Sequence, residues 1–238
     1  MSVLCSGAID GSARGVLFDV MNQADKSVDS VVKDNALFSE VDTESGWHTD
    51  GASKLKVYDV ISLMCIHKSL SGGNLQVTNA VHAYHTLKRT LPKFLLYELV
   101  RPLVRDILEN SEFKNPNHRS TQFLRSPAVL CERIRQNTYP IFFIEGERMR
   151  FRYMRYWIET GHKKAGYRVP ALLQIAMDLL DEQLDKECTF DRKLEPGEMI
   201  FVNNALLAHN RTAFTDTPDA PKRHQVRAWI QTQKVNNN

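Results

Sequence analysis

Three side chains in this sequence have the types and spacing of a metal-binding set. His48 and Asp50, within Trp47-His48-Thr49-Asp50, are two residues apart, and in an extended segment that spacing projects both to one face. An imidazole and a carboxylate side by side grip two adjacent positions of an ion. His209 lies in the apolar run LLAHNRTAF, which brings a lone imidazole to the core side of a strand. Two histidines and one carboxylate on one face of an octahedral ion leave three positions open, the arrangement of Fe(II) oxygenases. Taken singly, a His-x-Asp pair is common by chance, and a histidine on an apolar run is more often a hydrogen-bonded core residue; the combination points to a metal. His82 and His85, three apart on a helical stretch, fit surface or capping roles better than a second pair of ligands.

Downstream of His209 come Arg211, Arg223 and Arg227. Arg223 and Arg227 are four apart and face the same way on a regular strand, and the run RHQVRAWI is apolar enough to bury them. Guanidinium is the group best shaped to hold a carboxylate with two bonds, so the pair suits a dicarboxylate co-substrate. Arg148–Trp157, read as a strand, alternates Phe151, Tyr153 and Arg155 on one face with Arg150, Arg152 and Tyr156 on the other. Arg152, Tyr153 and Arg155 are its candidate contacts to a substrate carboxylate. The plainer reading is an edge strand whose arginines face water and discourage pairing between molecules. A nucleic-acid platform of basic and aromatic residues is disfavoured by charge, since 31 Lys and Arg are matched by 28 Asp and Glu, a net of +3.

Several elements must position these groups. VYDVISLMCI (57–66) reads as a buried strand, closed by the turn Ser71-Gly72-Gly73 and followed by a second short strand. Over 80–108 the apolar period changes to three and four, predicting helices broken near Pro92 and Pro102. A hairpin is expected around Glu145-Gly146-Glu147, and Pro170 opens an amphipathic helix with Leu172, Leu173, Ala176, Leu179, Leu180 and Leu184 on its apolar stripe. MIFVNN, LLAHNRTAF and HQVRAWIQT return to strand character. The pattern predicts one domain over residues 1–238, mainly β with helical insertions, built as an antiparallel sandwich or barrel. The 238-residue chain, 42% hydrophobic, is long enough for a sizeable core. Cys5, Cys65, Cys131 and Cys188 have no metal spacing and are expected as free thiols. With no basic-plus-apolar leader and no long apolar run, a cytoplasmic protein is expected.

In order along the chain, WHTDG (47–51), SGGN (71–74), LEPGE (194–198), FVNNALLAHNRTAF (201–214) and RHQVRAWI (223–230) resemble the taurine dioxygenase and clavaminate synthase-like family of Fe(II)/2-oxoglutarate oxygenases. The resemblance implies a double-stranded β-helix, or jelly roll, with His48, Asp50 and His209 as iron ligands. It implies O2 and 2-oxoglutarate as co-substrates, with Arg227 on the far carboxylate and Arg223 lining the same pocket. Members often carry Thr or Ser after the Gly-Gly turn; Leu75 stands there in this chain, and Thr78 is the nearest hydroxyl. The implied reaction is oxidation of an unactivated C–H bond of a small polar metabolite, a free amino acid or small carboxylate, in a biosynthetic pathway. Asp50 fills the position that related halogenases leave to chloride, which favours hydroxylation. The expected partner is a small-molecule substrate, with no nucleic acid and no membrane, and self-association is left open. Two other readings are a non-catalytic jelly-roll metabolite-binding protein and a zinc hydrolase; the second lacks a His-Glu-x-x-His pair and gives the arginines no purpose.

Overall fold

Two runs rich in β-branched and apolar residues, Val60–His67 (β3) and His224–Thr232 (β14), lie antiparallel at the middle of the larger sheet. Val3–Leu4 (β1) and Leu17–Met21 (β2) also pair with β14, and Met199–Asn203 (β11) forms the edge beside β3. These coordinates are a computed structural model that describes residues 3–4, 17–22, 41–53, 57–107, 127–217 and 219–232. A smaller antiparallel sheet places Leu75–Asn79 (β5) between Cys188–Arg192 (β10) and Leu207–Arg211 (β12). Register follows the apolar alternation, because a one-residue slip would exchange buried and exposed faces. Arg227 and Trp229 of β14 stand opposite Leu63 and Ile61 of β3, and His209 and Arg211 of β12 stand opposite Val77 and Leu75 of β5. The two sheets share one apolar cluster that includes Phe18, Ile61, Leu63, Leu75, Val77 and Val202.

Three short pairs surround the sheets: Ser71–Gly72 (β4) with Phe214–Thr215 (β13), Leu103–Val104 (β6) with Thr138–Tyr139 (β7), and Phe142–Glu145 (β8) with Arg148–Phe151 (β9). The helices are Ala80–Thr90 (α1), Lys93–Val100 (α2), Pro127–Gln136 (α3), Arg155–Lys164 (α4) and Ala171–Lys186 (α5). Asn79 caps α1 by accepting the His82 N–H, and Pro92 separates α1 from α2 as the sequence predicts. Helix α5 begins one residue after Pro170 and buries Leu173, Ala176, Met177, Leu180 and Leu184, while Leu172 faces out. A second cluster joins α1, α2 and α5 to Trp47, Tyr153 and Ala208, so the helices cover the outer face of the smaller sheet.

The class is therefore mixed α/β with several antiparallel sheets, a correction to the mainly β expectation. Much of the difference lies at 152–164. The hairpin forms, with Gly146 at φ 62 in its turn, but its second strand stops at Phe151. From Arg155 the chain is helical: Ile158 and His162, four apart, are buried together, and Arg155 pairs with Glu159 along the same turn. Cys65, Cys131 and Cys188 are free thiols; Cys5, Gly7, Gly11, Gly15 and Asn236–Asn238 lie outside the described residues. No helix among the described residues is long and apolar enough to cross a membrane.

Gly161 lets α4 press on the backbone at Arg105 and Asp106. A Cβ there would stand 2.4 Å from the Asp106 nitrogen and 2.6 Å from the Arg105 carbonyl carbon. Gly161→Ala should lower stability by about 1–3 kcal/mol despite its better helix propensity, as a loss of denaturation midpoint will show.

Candidate metal centre

The segment carrying His48 is a single extended stretch inserted between β12 and the chain after β9. His48 exchanges both backbone bonds with His209, N to O at 2.9 and 3.0 Å, so the two imidazoles stand side by side with ring centres 4.1 Å apart. On its other edge His48 bridges Met154, and the Thr49 N–H donates to the Tyr153 carbonyl at 2.8 Å. Alternation sends Trp47 and Thr49 away from the histidines. Trp47 is buried under α5 and donates its indole N–H to Asp185 at 2.7 Å. Asp50 opens the turn that follows. Its backbone is held on both sides by Asn204, whose Oδ1 accepts the Asp50 N–H at 2.8 Å and whose Nδ2 donates to the Asp50 carbonyl at 3.0 Å.

The Nε2 atoms of His48 and His209 each lie 3.7 Å from Asp50 Oδ1, too far for hydrogen bonds. One ligand atom from each residue lies within 4.8 Å of the others, and among the described residues this is the one group of three or more such side chains so placed. His48 Nδ1 is 2.8 Å from the Gly46 carbonyl, which makes it the protonated nitrogen and turns the Nε2 lone pair toward Asp50. Burial, reinforced by the neighbouring His209, pushes the His48 imidazole down to about 3. Burial alone would raise the Asp50 carboxyl, but Arg227 and the histidines hold it well below the usual carboxylate range. A neutral imidazole and an ionised carboxylate are the forms a divalent cation needs, and this N,N,O donor set fits iron.

Arg227 and Trp229 complete the surroundings of Asp50. Arg227 Nη1 lies 3.1 and 2.9 Å from the two carboxylate oxygens, and the Trp229 indole N–H donates to Oδ2 at 2.6 Å. The Arg227 guanidinium lies over the Phe18 ring at 4.4 Å. Arg223 is farther out, 5.0 Å above the ring of Phe214, with Arg211 also 5.0 Å from that ring. Arg223 Nη1 is buried and has no hydrogen-bond partner, and burial lowers the group to about 10. Gly73, at φ +74, makes room for it: a Cβ there would meet Ser69 Oγ at 2.6 Å and Arg223 Nε at 3.4 Å.

The structure corrects the reading of Thr78 as a co-substrate contact. Thr78 pairs with Ala208, so it lies on the sheet face opposite His209, and its hydroxyl donates to the Glu187 carbonyl at 2.9 Å. Leu75 does lie on the His209 face, buried in the cluster between the sheets. Arg155 is also removed from the substrate side. It starts α4 and its guanidinium is shared by Glu159, Asp178 and Asp181. Tyr153 is fully buried in the helix-side cluster with its hydroxyl against Asp181. Arg152 is buried too, over the ring of Tyr139 at 4.1 Å. His82 pairs with Glu187 at 2.8 Å. Asn204, Trp229 and the Trp47–Asp185 pair were not anticipated as parts of the centre; the Asn203-Asn204 pair at the end of a strand was the available signal for the first.

Asn204→Ala should cost about 1–3 kcal/mol in stability, through the stranded Asp50 backbone, and weaken Co(II) or Fe(II) binding about 10–100-fold in an anaerobic titration. A second outcome concerns pH. Burial raises the Asp181 carboxyl to about 6, although Tyr153 and Arg155 lie beside it. The folded chain keeps this proton where the unfolded chain has released it, so this group makes stability fall as pH rises from about 4 to about 6. Asp181→Asn should flatten that part of a Tm–pH profile, by up to about 2 kcal/mol.

The chain is similar to several known proteins. FR-33289 synthase of Streptomyces rubellomurinus (strain ATCC 31215) is 25% identical over 189 residues, which are 77% of this chain and 48% of that protein. The structure of an asparagine oxygenase with Fe(II), 2S,3S-3-hydroxyasparagine and succinate superposes with a TM-score of 0.62 at 18% identity, covering 92% of this chain and 57% of that one. The non-heme iron oxygenase OrfP with Fe, succinate and (3S)-hydroxy-L-Arg gives 0.62 at 14% identity, covering 96% and 62%. The chain thus spans about half the length of the curated relative and less than two thirds of these oxygenases. The sequence profile of one family matches residues 7–229, and this protein belongs to that family, the taurine catabolism dioxygenase TauD, TfdA family.

Proposed function

We propose that this chain is an Fe(II)- and 2-oxoglutarate-dependent oxygenase that hydroxylates, or otherwise oxidises, an unactivated C–H bond of a small polar metabolite. The observation that carries the proposal is the convergence of His48, Asp50 and His209 on one point, with the part-buried Arg227 against Asp50 and the buried Arg223 farther out. His48, Asp50 and His209 would hold the iron, which when bound supplies the activation of O2 that is coupled to decarboxylation of the 2-oxo acid. The two facing sheets suit a double-stranded β-helix with this centre at one end.

The arginines divide the co-substrate between them, in an order that differs from the one implied by resemblance. Arg227 touches Asp50 and belongs to the metal end, where it offsets anionic charge gathered at the iron. Arg223 is the anchor for the far carboxylate: its buried Nη1 has a donor to spare, and a carboxylate would satisfy it. Thr78 gives no help, so the guanidiniums carry the grip, with Leu75 as apolar wall. Asp50 and His209 are buried, and a low-dielectric setting strengthens such charge-assisted bonds. Asparagine oxygenase and OrfP, solved with hydroxylated amino acids, support a free amino acid or a similar small acid as the substrate class.

Anaerobic Fe(II)-loaded protein titrated with 2-oxoglutarate should develop the weak visible charge-transfer band of the chelate. Arg223→Ala should raise the half-saturating concentration roughly 10–100-fold while leaving metal content unchanged. A folded, iron-containing wild type that gives no band would remove the oxygenase reading and leave the Leu75 pocket as that of a metabolite-binding protein.

A further inference from the structure

We propose that Trp229 is a positioning residue of the metal centre: its indole N–H holds one oxygen of Asp50, so that the carboxylate meets the ion through the other oxygen alone. The inference rests on the oxygenase reading, since the positions thereby left open are those that 2-oxoglutarate and O2 need.

The two oxygens of Asp50 have different surroundings. Oδ1 lies 3.7 Å from Nε2 of both His48 and His209, which makes it the oxygen on the side of the imidazoles. Oδ2 accepts the Trp229 indole N–H at 2.6 Å and a bond from Arg227 Nη1 at 2.9 Å. Arg227 does not tell the oxygens apart, because the same Nη1 lies 3.1 Å from Oδ1. The indole does. Its nitrogen offers one hydrogen in one direction and accepts nothing. A carboxylate free to turn binds a cation through one oxygen or through both, and in the second mode it fills two positions. An oxygen already holding two charge-assisted bonds is the poorer ligand. Arg227 supplies the counter-charge that a buried carboxylate requires; what Trp229 adds is the difference between the two oxygens.

The indole is itself fixed by a closed circuit of contacts. Trp229 stands opposite Ile61 where β14 pairs with β3. The buried Tyr58, two residues before β3, stacks on it with ring centroids 4.6 Å apart and planes at 5°. Phe18 of β2 packs against it at 4.4 Å in a tilted contact. Asn204 closes the circuit: its Nδ2 donates to the carbonyls of Asp50 and Tyr58, each at 3.0 Å, while its Oδ1 accepts the Asp50 N–H at 2.8 Å. The backbone of Asp50 is thus tied to Tyr58 through Asn204, and its carboxylate to the ring of Tyr58 through Trp229. Both ends of the ligand residue are referred to one aromatic stack.

The test uses anaerobic protein whose aspartates are isotopically labelled in the side-chain carboxyl. Difference infrared spectra, Fe(II)-loaded minus metal-free, read the separation of the two carboxylate stretches. It is wide for a carboxylate that binds a cation through one oxygen and narrow for one that chelates. 2-Oxoglutarate is then added and its visible band recorded, followed by titration with nitric oxide, which takes a position left open and is read by EPR. The wild type should show the wide separation, the band and the nitric oxide signal. Trp229→Phe keeps a ring for Tyr58 to stack on and should show the narrow separation. Its half-saturating nitric oxide concentration should rise at least about tenfold, with the band retained. A residue that merely stabilises the fold would lower the thermal midpoint and move neither reading. A narrow separation in the wild type overturns the assignment, and so does a Trp229→Phe protein in which either reading is unchanged. If Trp229→Phe does not fold, Trp229→benzothienylalanine takes its place, since sulfur replaces the N–H while the shape of the ring is kept, and the same outcomes apply. Absence of the 2-oxoglutarate band in the wild type defeats the oxygenase reading instead; the infrared separation is read before 2-oxoglutarate is added, so the two failures are told apart.

Discussion

An ionised carboxylate inside a protein is tolerated only where charge and hydrogen bonds compensate its lost hydration. Asp50 is such a group, and the structure is arranged to keep it charged. Arg227 and Trp229 reach it from the larger sheet, His209 from the smaller, His48 from its own segment, and Asn204 fixes its backbone from the end of β11. Each comes from a different part of the fold. The relative position of the two sheets is thus specified at this point as strictly as by the apolar cluster between them, since a displacement of either would leave a buried charge without a partner.

The remaining arginines extend the same logic. Arg211, Arg223 and Arg227 follow one another along the interior, two of them separated by the ring of Phe214. Aromatic faces accept such cations and keep them apart. An interior of that sign favours anionic small molecules, although the chain's net charge is only +3.

The chemistry was more legible in the sequence than the architecture that frames it. His48, Asp50 and His209 could be recognised because they occur in combination, although each alone has commoner explanations. Strands β3, β11, β12 and β14 and helices α1, α2 and α5 followed from period and from proline positions. RFRYMRYW alternates as a strand would, yet the strand ends at Phe151 and a helix begins at Arg155. What decides it is tertiary: Phe151 and Tyr153 are drawn into the helix layer, Met154 is claimed by His48, and the chain then turns into α4. Thr78 was misplaced for the opposite reason. Counting along the chain ignored the strict parity of β5, which puts residues 75 and 77 on the metal side and 78 on the other. Trp47 acts through a helix distant in sequence, and local patterns carry no trace of such a partner.

Strand β12 is buried on both faces, with Ala208 under the helices and His209 turned to the interior. This has a consequence for how the chain assembles. Its pairing with the His48 segment joins parts of the chain that are far apart, the kind of contact that forms late and slowly. A one-residue slip would put Ala208 or Asn210 where His209 stands and present no second imidazole to an ion. Metal capture is then open only to chains whose distant segments have met in the right alignment. An ion bound there would act as a proofreader of folding, withdrawing correctly paired molecules from the pool that can still unfold.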